Sequence, residues 1–93
     1  MSRITRKFTG RKDDEIFEKV HQMMSRIAEK MSLDYKKDDA LRSGKVSKMG
    51  ITGTYAVRSS EVVVEMKYPM LVPGSMRQKV EEDIERKLDG LFS

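Results

Sequence analysis

The sequence lacks residue types whose absence removes whole classes of functional site. It contains no cysteine and no tryptophan, and asparagine occurs at no position. Without cysteine the chain has no disulfide framework, no thiolate nucleophile and no thiolate metal ligand. Without asparagine it has no N-glycosylation site. A single histidine is too little for a zinc site, so we expect neither a metal nor another cofactor.

Long apolar runs are also absent. The first residues lack the apolar stretch of a secretory signal, and no segment approaches the ~20 apolar residues that a membrane-spanning helix needs. We therefore expect a cytoplasmic protein. A chain of 93 residues is expected to form a single domain, residues 1–93, around one hydrophobic core.

Few side chains are candidates for catalysis. His21 lies at the margin of a predicted helical stripe, so we interpret it as a residue at the edge of the core and not as a catalytic base. Glu61 and Glu65 project from the outer face of a predicted strand, where no pocket is expected to raise the pKa of either carboxyl group. The sequence therefore predicts no catalytic residues and no enzymatic activity.

The positive charge is concentrated at the start of the chain. The net charge is +4, but residues 1–12 contain several bases and no acid, so the remainder is close to neutral. The alternation of Ile4 and Phe8 with polar residues predicts either an edge strand or a flexible segment here. As an arm that contacts phosphates, this segment supports a nucleic-acid-binding alternative. The candidate residues are Arg3, Arg6, Lys7, Arg11 and Lys12.

Helical periodicity is clear over residues 13–31, where apolar side chains recur at spacings of three, four and seven. The next segment alternates as a short strand around Tyr35, followed by a polar turn over residues 37–39. Residues 40–43 are expected to form another short strand that ends in a turn or bulge at Gly44.

Two further strands follow, in which the two faces alternate along the chain and one face of each is mainly apolar. One inner face starts at Ile51, and the other contains Val62, Val64 and Met66, with Ser59-Ser60 as the hairpin turn. A last amphipathic helix is expected to begin with Ser75 as N-cap and Gln78 completing a capping box. The fold class predicted is α+β, a two-layer sandwich with both helices on one face of a mainly antiparallel sheet, in the order β-α-β-β-β-β-α.

An apolar loop, Met70-Leu71-Val72, lies between the prolines that separate the last strand from the last helix. Such a loop either tucks under the helices or is exposed as a contact patch. We favour the tucked arrangement and keep the three residues as the candidate partner-binding site.

Several segments together resemble a known family over nearly the whole chain. They are Met31-Ser32-Leu33-Asp34-Tyr35, Gly50-Ile51-Thr52-Gly53, Glu61-Val62-Val63-Val64-Glu65 and the closing helix over residues 79–89. The family is the small bacterial one named putative polyhydroxyalkanoic acid system protein. The resemblance implies a link to polyester storage granules and supplies no catalytic residues.

Three functions therefore remain open. The leading hypothesis is a non-catalytic binding or accessory protein, with a protein partner or a granule surface as its target. The alternatives are a nucleic-acid-binding module that uses the basic segment, and a carrier of a small apolar ligand held between helices and sheet.

Overall fold

The computed structural model describes residues 2–92. They form five strands and two helices, which we number in chain order. The elements are β1 (Ser2–Lys7), α1 (Asp13–Met31), β2 (Asp34–Asp38), β3 (Ser43–Lys48), β4 (Ile51–Arg58), β5 (Glu61–Lys67) and α2 (Gly74–Asp89). Neither helix combines the length and the apolar character that crossing a membrane requires.

The five strands form one sheet in the order β1-β5-β4-β3-β2, and every neighbouring pair is antiparallel. β1 lies at one edge beside β5, with Ile4 opposite Val64. β2 forms the other edge. The predicted element order and the α+β class are therefore confirmed.

The alternation of side chains gives the sheet one buried face. On β5, Val62, Val64 and Met66 are buried, whereas Val63 between them is partly exposed. On β4, Tyr55 and Val57 lie in the same core. Because successive side chains of a strand point to opposite faces, the apolar residues line the helix side, as the sequence predicts.

The two helices contribute unequally to the core. α1 buries Ile16, Phe17, Val20 and Ala28, which follow its predicted stripe. Within α2, all of which is described, Leu88 is the one buried residue. Since Ile16, Phe17 and Val20 of α1 and Leu88 of α2 join one cluster with the inner strand residues, the helices lie on the same face of the sheet.

Two tight turns join the central strands. Met49-Gly50 connects β3 to β4 and Ser59-Ser60 connects β4 to β5, and all four residues have positive φ. Positive φ at both central positions is the requirement of a type I′ turn, which matches the twist of the flanking strands. The predicted hairpin turn at Ser59-Ser60 is confirmed.

The prediction for residues 37–44 is wrong in register. Lys37 and Asp38 belong to β2, the turn covers residues 39–42, and Gly44 lies buried inside β3. The turn forms where it does because the Asp38 carboxylate accepts a hydrogen bond from the Leu41 amide at 3.1 Å. Arg42 adopts positive φ, which lets the chain reverse without a glycine at the turn.

The predicted capping box of α2 is also wrong. The helix begins at Gly74, and no described side chain bonds to its first amides. The Pro73 carbonyl accepts hydrogen bonds from the Met76 and Arg77 amides, so the first turn closes before Ser75 can act as N-cap. Gln78 instead donates to Glu82, one turn further along, at 3.0 Å.

Gly44 occupies a place that a side chain would have to share with aromatic rings. A Cβ atom there would overlap the Tyr55 ring and lie 2.9 Å from Cε1 of Tyr35. The absence of a side chain at this position therefore lets two tyrosines cross the inner face of β3.

We predict that Gly44→Ala destabilises the protein by about 1–3 kcal/mol, because the ring must move within a packed core. Gly74→Ala is the matched control, since a Cβ atom there meets nothing within 4 Å and alanine favours the helix. Urea unfolding of both variants measures the effect. Equal stabilities for the two variants would contradict the proposed ring contact.

Candidate functional site

The loop between β5 and α2 turns two apolar side chains outward. Met70 is 93% exposed and Leu71 is 92% exposed, whereas Val72 is partly buried. The favoured tucked arrangement is therefore wrong for Met70 and Leu71. The Val72 amide donates to the Pro69 carbonyl at 3.1 Å, which closes a tight turn and leaves its two central side chains in solvent.

The β3–β4 turn lies at the same end of the sheet. Lys67, the last residue of β5, pairs with Thr52 near the start of β4, so the chain leaves β5 beside the Met49-Gly50 turn. A Cβ atom on Gly50 would lie 3.1 Å from Cγ of Pro69, which shows direct proximity of the turn and the loop. Met49 in this turn is 88% exposed.

The facing ends of both helices complete this surface. The Lys48 ammonium donates to the carbonyl of Met31, the last residue of α1, at 2.6 Å. Met76 lies in the first turn of α2, directly after the loop. Met31 is 54% exposed and Met76 is 50% exposed.

We call this surface the apolar end. Apart from Leu41, it contains all the large apolar side chains that the described part of the chain exposes. Its members are Met31, Met49, Met70, Leu71 and Met76. Strand pairing and helix placement bring them together, since they come from four separate elements or turns.

Exposed lysines flank the apolar end. Lys30 precedes Met31, Lys48 precedes Met49, Lys67 ends β5 and Lys79 lies one turn beyond Met76. The exposed acids in the same stretches are Glu29, Asp34 and Glu82. An apolar centre with basic neighbours suits a surface that is apolar and bears some negative charge.

The opposite end of the molecule differs in character. Leu41, 70% exposed, stands in the β2–β3 turn. Nearby, the Arg42 guanidinium bonds to the Asp14 carboxylate at 2.6 Å, and the Asp13 carboxylate accepts from the amides of the Ser59-Ser60 turn. Polar contacts therefore dominate this end.

The basic segment is part of the fold. Arg6 lies 2.8 Å from the Asp89 carboxylate and 3.5 Å from Glu85 on α2, and Arg11 pairs with Glu15 at 3.6 Å. Arg3, Lys7 and Lys12 remain exposed. The structure thus divides the five candidate bases, and two of them already have acidic partners within the chain.

A hydrogen-bonded chain of three side chains joins α1 to the sheet. The Tyr35 hydroxyl lies 2.9 Å from Nδ1 of His21 and 2.6 Å from the Tyr55 hydroxyl. Burial raises the pKa of both tyrosines, and for Tyr55 the hydrogen bond to Tyr35 adds to the increase in pKa. The two hydroxyls therefore keep their protons at neutral pH and serve as hydrogen-bonding groups.

Sequence reasoning placed His21 at the edge of the core but missed its partners. Both tyrosines lie on inner strand faces. Tyr35, Tyr55 and His21 meet because β2 and β4 lie on either side of β3, where Gly44 has no side chain. That register depends on the β2–β3 turn, which the sequence prediction put in the wrong place. A correct position for this turn would have revealed the cluster.

An open groove of about 930 Å³ separates α1 from α2. Met23, Ile27 and Leu91 contribute apolar surface, and Lys19 and Arg26 are among its basic neighbours. The groove lies between the helices, whereas the expected carrier site lay between helices and sheet. Within residues 2–92, no group of three or more histidine, aspartate or glutamate side chains is placed to hold a metal ion.

In a comparison with protein families, a family model matches residues 4–92. The family is described as putative polyhydroxyalkanoic acid system protein. The corresponding searches find no match among curated proteins and none among solved structures.

The tyrosine cluster predicts how stability depends on pH. An unfolded tyrosine ionises near pH 10, while Tyr55 in the folded protein holds its proton to higher pH. Unfolding then releases a proton, so the free energy of unfolding falls as pH rises above about 10, by up to ~1.4 kcal/mol per pH unit for each such group.

Tyr55→Phe removes one of these groups and one hydroxyl hydrogen bond. We expect it to lower stability at pH 7 by about 1 kcal/mol and to make the loss of stability above pH 10 shallower. Urea unfolding of both proteins at pH values from about 7 to about 11, a range that spans the ordinary tyrosine pKa, measures both effects. Parallel pH profiles would show that Tyr55 does not cause the alkaline loss.

Proposed function

Since the chain belongs to the family described as putative polyhydroxyalkanoic acid system protein, we propose that it is a non-catalytic accessory protein that docks on polyester storage granules in the cytoplasm. The apolar end is the docking surface. The observation that supports this role is the concentration of nearly all the exposed large apolar side chains at one end of the molecule.

Docking on an apolar surface would remove these side chains from water. Fully burying a methionine or leucine side chain contributes about 1.5–3 kcal/mol. In the free protein the side chains of Met49, Met70 and Leu71 gain little of this, because each is at least 88% exposed. Exposed apolar side chains that are grouped into one patch mark interaction sites, whereas single scattered ones are normal on a protein surface.

The geometry of the apolar end suits an extended surface better than a small ligand. Its side chains project from two turns and two helix termini, and the concave surface that they border is the open groove between α1 and α2, through Met31. Small-ligand sites are concave and bury most of the ligand. Methionine side chains are flexible and polarisable, which lets them adapt to an irregular apolar surface.

Local rigidity lowers the cost of docking. Pro69 and Pro73 bracket the loop, and the two-residue turn holds Met49 close to it. Because the backbone is already ordered, contact immobilises mainly side chains, and the entropic penalty of binding is smaller. The flanking lysines add attraction to any negative charge on the granule.

The alternatives receive less support from the geometry. The nucleic-acid hypothesis needs free bases in the N-terminal segment, yet Arg6 and Arg11 contact acids of the same chain. The carrier hypothesis needs an enclosed site, whereas the groove between α1 and α2 is open to solvent. A granule-bound protein as the docking partner is an outcome that the following experiment distinguishes.

The test is sedimentation of the purified protein with isolated polyester granules. Met70→Ser/Leu71→Ser is expected to weaken binding about a hundredfold, the factor for ~3 kcal/mol from two side chains. Leu41→Ser is the matched control, because it removes an exposed apolar side chain at the opposite end. Circular dichroism verifies that all three proteins are folded.

Granules stripped of their proteins separate the two docking targets. Binding that survives stripping identifies the polyester surface, and binding that disappears identifies a granule-bound protein and overturns the polyester-surface proposal. Equal weakening by the double substitution and by Leu41→Ser would mean that general hydrophobicity, and not the apolar end, causes association.

A further inference from the structure

The methionines of this chain divide into two groups by exposure. Met31, Met49, Met70 and Met76 are at least half exposed and all belong to the apolar end. Met66 is 6% exposed in the core, and Met23 and Met24 are partly buried. Every methionine that the described structure exposes therefore lies in the proposed docking surface.

We propose that the apolar end is a site of reversible methionine oxidation, and that peroxide releases the protein from the granule by oxidising Met49 and Met70. The release from the granule rests on the proposed function. The selectivity of the oxidation rests on the structure of the free protein alone.

The reaction is a two-electron oxygen transfer from a hydroperoxide. A lone pair of the thioether sulfur attacks one peroxide oxygen, an S–O bond forms and the O–O bond breaks. With hydrogen peroxide the other oxygen leaves as water after proton transfer. Sulfur is oxidised and peroxide is reduced, and a methionine sulfoxide reductase supplied with a dithiol reverses the change.

Access decides which sulfur reacts. Met49 and Met70 are 88% and 93% exposed, so a peroxide molecule reaches their sulfurs directly. The Met66 sulfur packs against Gly53, where a Cβ atom would lie 2.8 Å from it, and reaction there requires the core to open. Because the chain has no cysteine, no thiol competes for the peroxide.

Oxidation changes the surface without disturbing the core. The sulfoxide is polar and hydrogen-bonds to water, and docking would remove that water without providing a partner. The side chains of Met49 and Met70 make little contact with the rest of the protein, so folding is preserved. Leu71 has no sulfur to oxidise, so its side chain supplies the binding that remains after treatment.

The experiment treats the full chain with increasing hydrogen peroxide and maps the added oxygen by peptide mass spectrometry. Met49 and Met70 are expected to react first and Met66 last. Granule sedimentation after treatment is expected to show about a hundredfold loss of affinity, the same factor as for two apolar side chains made polar by substitution. A methionine sulfoxide reductase should restore binding.

The variant Met31→Leu/Met49→Leu/Met70→Leu/Met76→Leu is the matched control. It keeps the apolar end apolar but leaves no thioether there, so its own binding before peroxide is the reference, and peroxide is expected to leave that binding at the same level. Met1 is present in both proteins, so any contribution of its oxidation is the same. If peroxide weakens binding of this variant as much as that of the native chain, oxidation elsewhere causes the loss and the inference is wrong.

Two further results separate this inference from the proposed function. If the untreated protein fails to bind granules, docking itself is refuted, and release from granules is refuted with it. The oxidation map still tests the modification, as does retention on a hydrophobic-interaction column, which should fall after treatment. If Met66 reacts as fast as Met70, the selectivity of the oxidation is overturned. If the treated native protein stays bound to granules, the control of docking by oxidation is overturned.

Discussion

The antiparallel pairing of β4 with β5 fixes both the buried face of the sheet and the end at which its loops collect. Opposite residues across this ladder share a face, so Tyr55 and Val64 enter the same core. The same pairing brings the exit of β5 beside the entrance of β4. The loop with Met70 and the turn with Met49 therefore meet because of the ladder, with no contact between their side chains required.

The core that gives stability and the surface proposed for docking lie in different parts of this molecule. The core depends on the inner faces of the central strands and on α1, whereas α2 buries Leu88 alone among its residues. The apolar end lies beyond that core, and its most exposed side chains add little to folding. Substitutions there consequently test the proposed docking, while substitutions at Gly44 or Tyr55 test folding.

Sequence periodicity was sufficient for α1, β4, β5 and the fold class, because each of these elements has one apolar face of regular period. It failed where a turn depends on a side-chain contact, as with Asp38 and the Leu41 amide, or on a backbone acceptor, as with Pro73. It also failed for Met70 and Leu71, since an apolar loop has the same composition whether buried or exposed. Only the position of the Pro69 turn decides between the two.

The conformation of Met49 is the strongest local argument that the apolar end has a role beyond folding. Its φ is +50°, in a region that favours glycine, asparagine and aspartate and costs an ordinary residue about 1 kcal/mol. Its side chain is almost fully exposed, so packing does not compensate for this cost. An asparagine would adopt the same turn conformation at a lower cost, and water would hydrate its polar side chain. An exposed apolar side chain in a backbone conformation that disfavours it is explained if the side chain contacts something outside the chain.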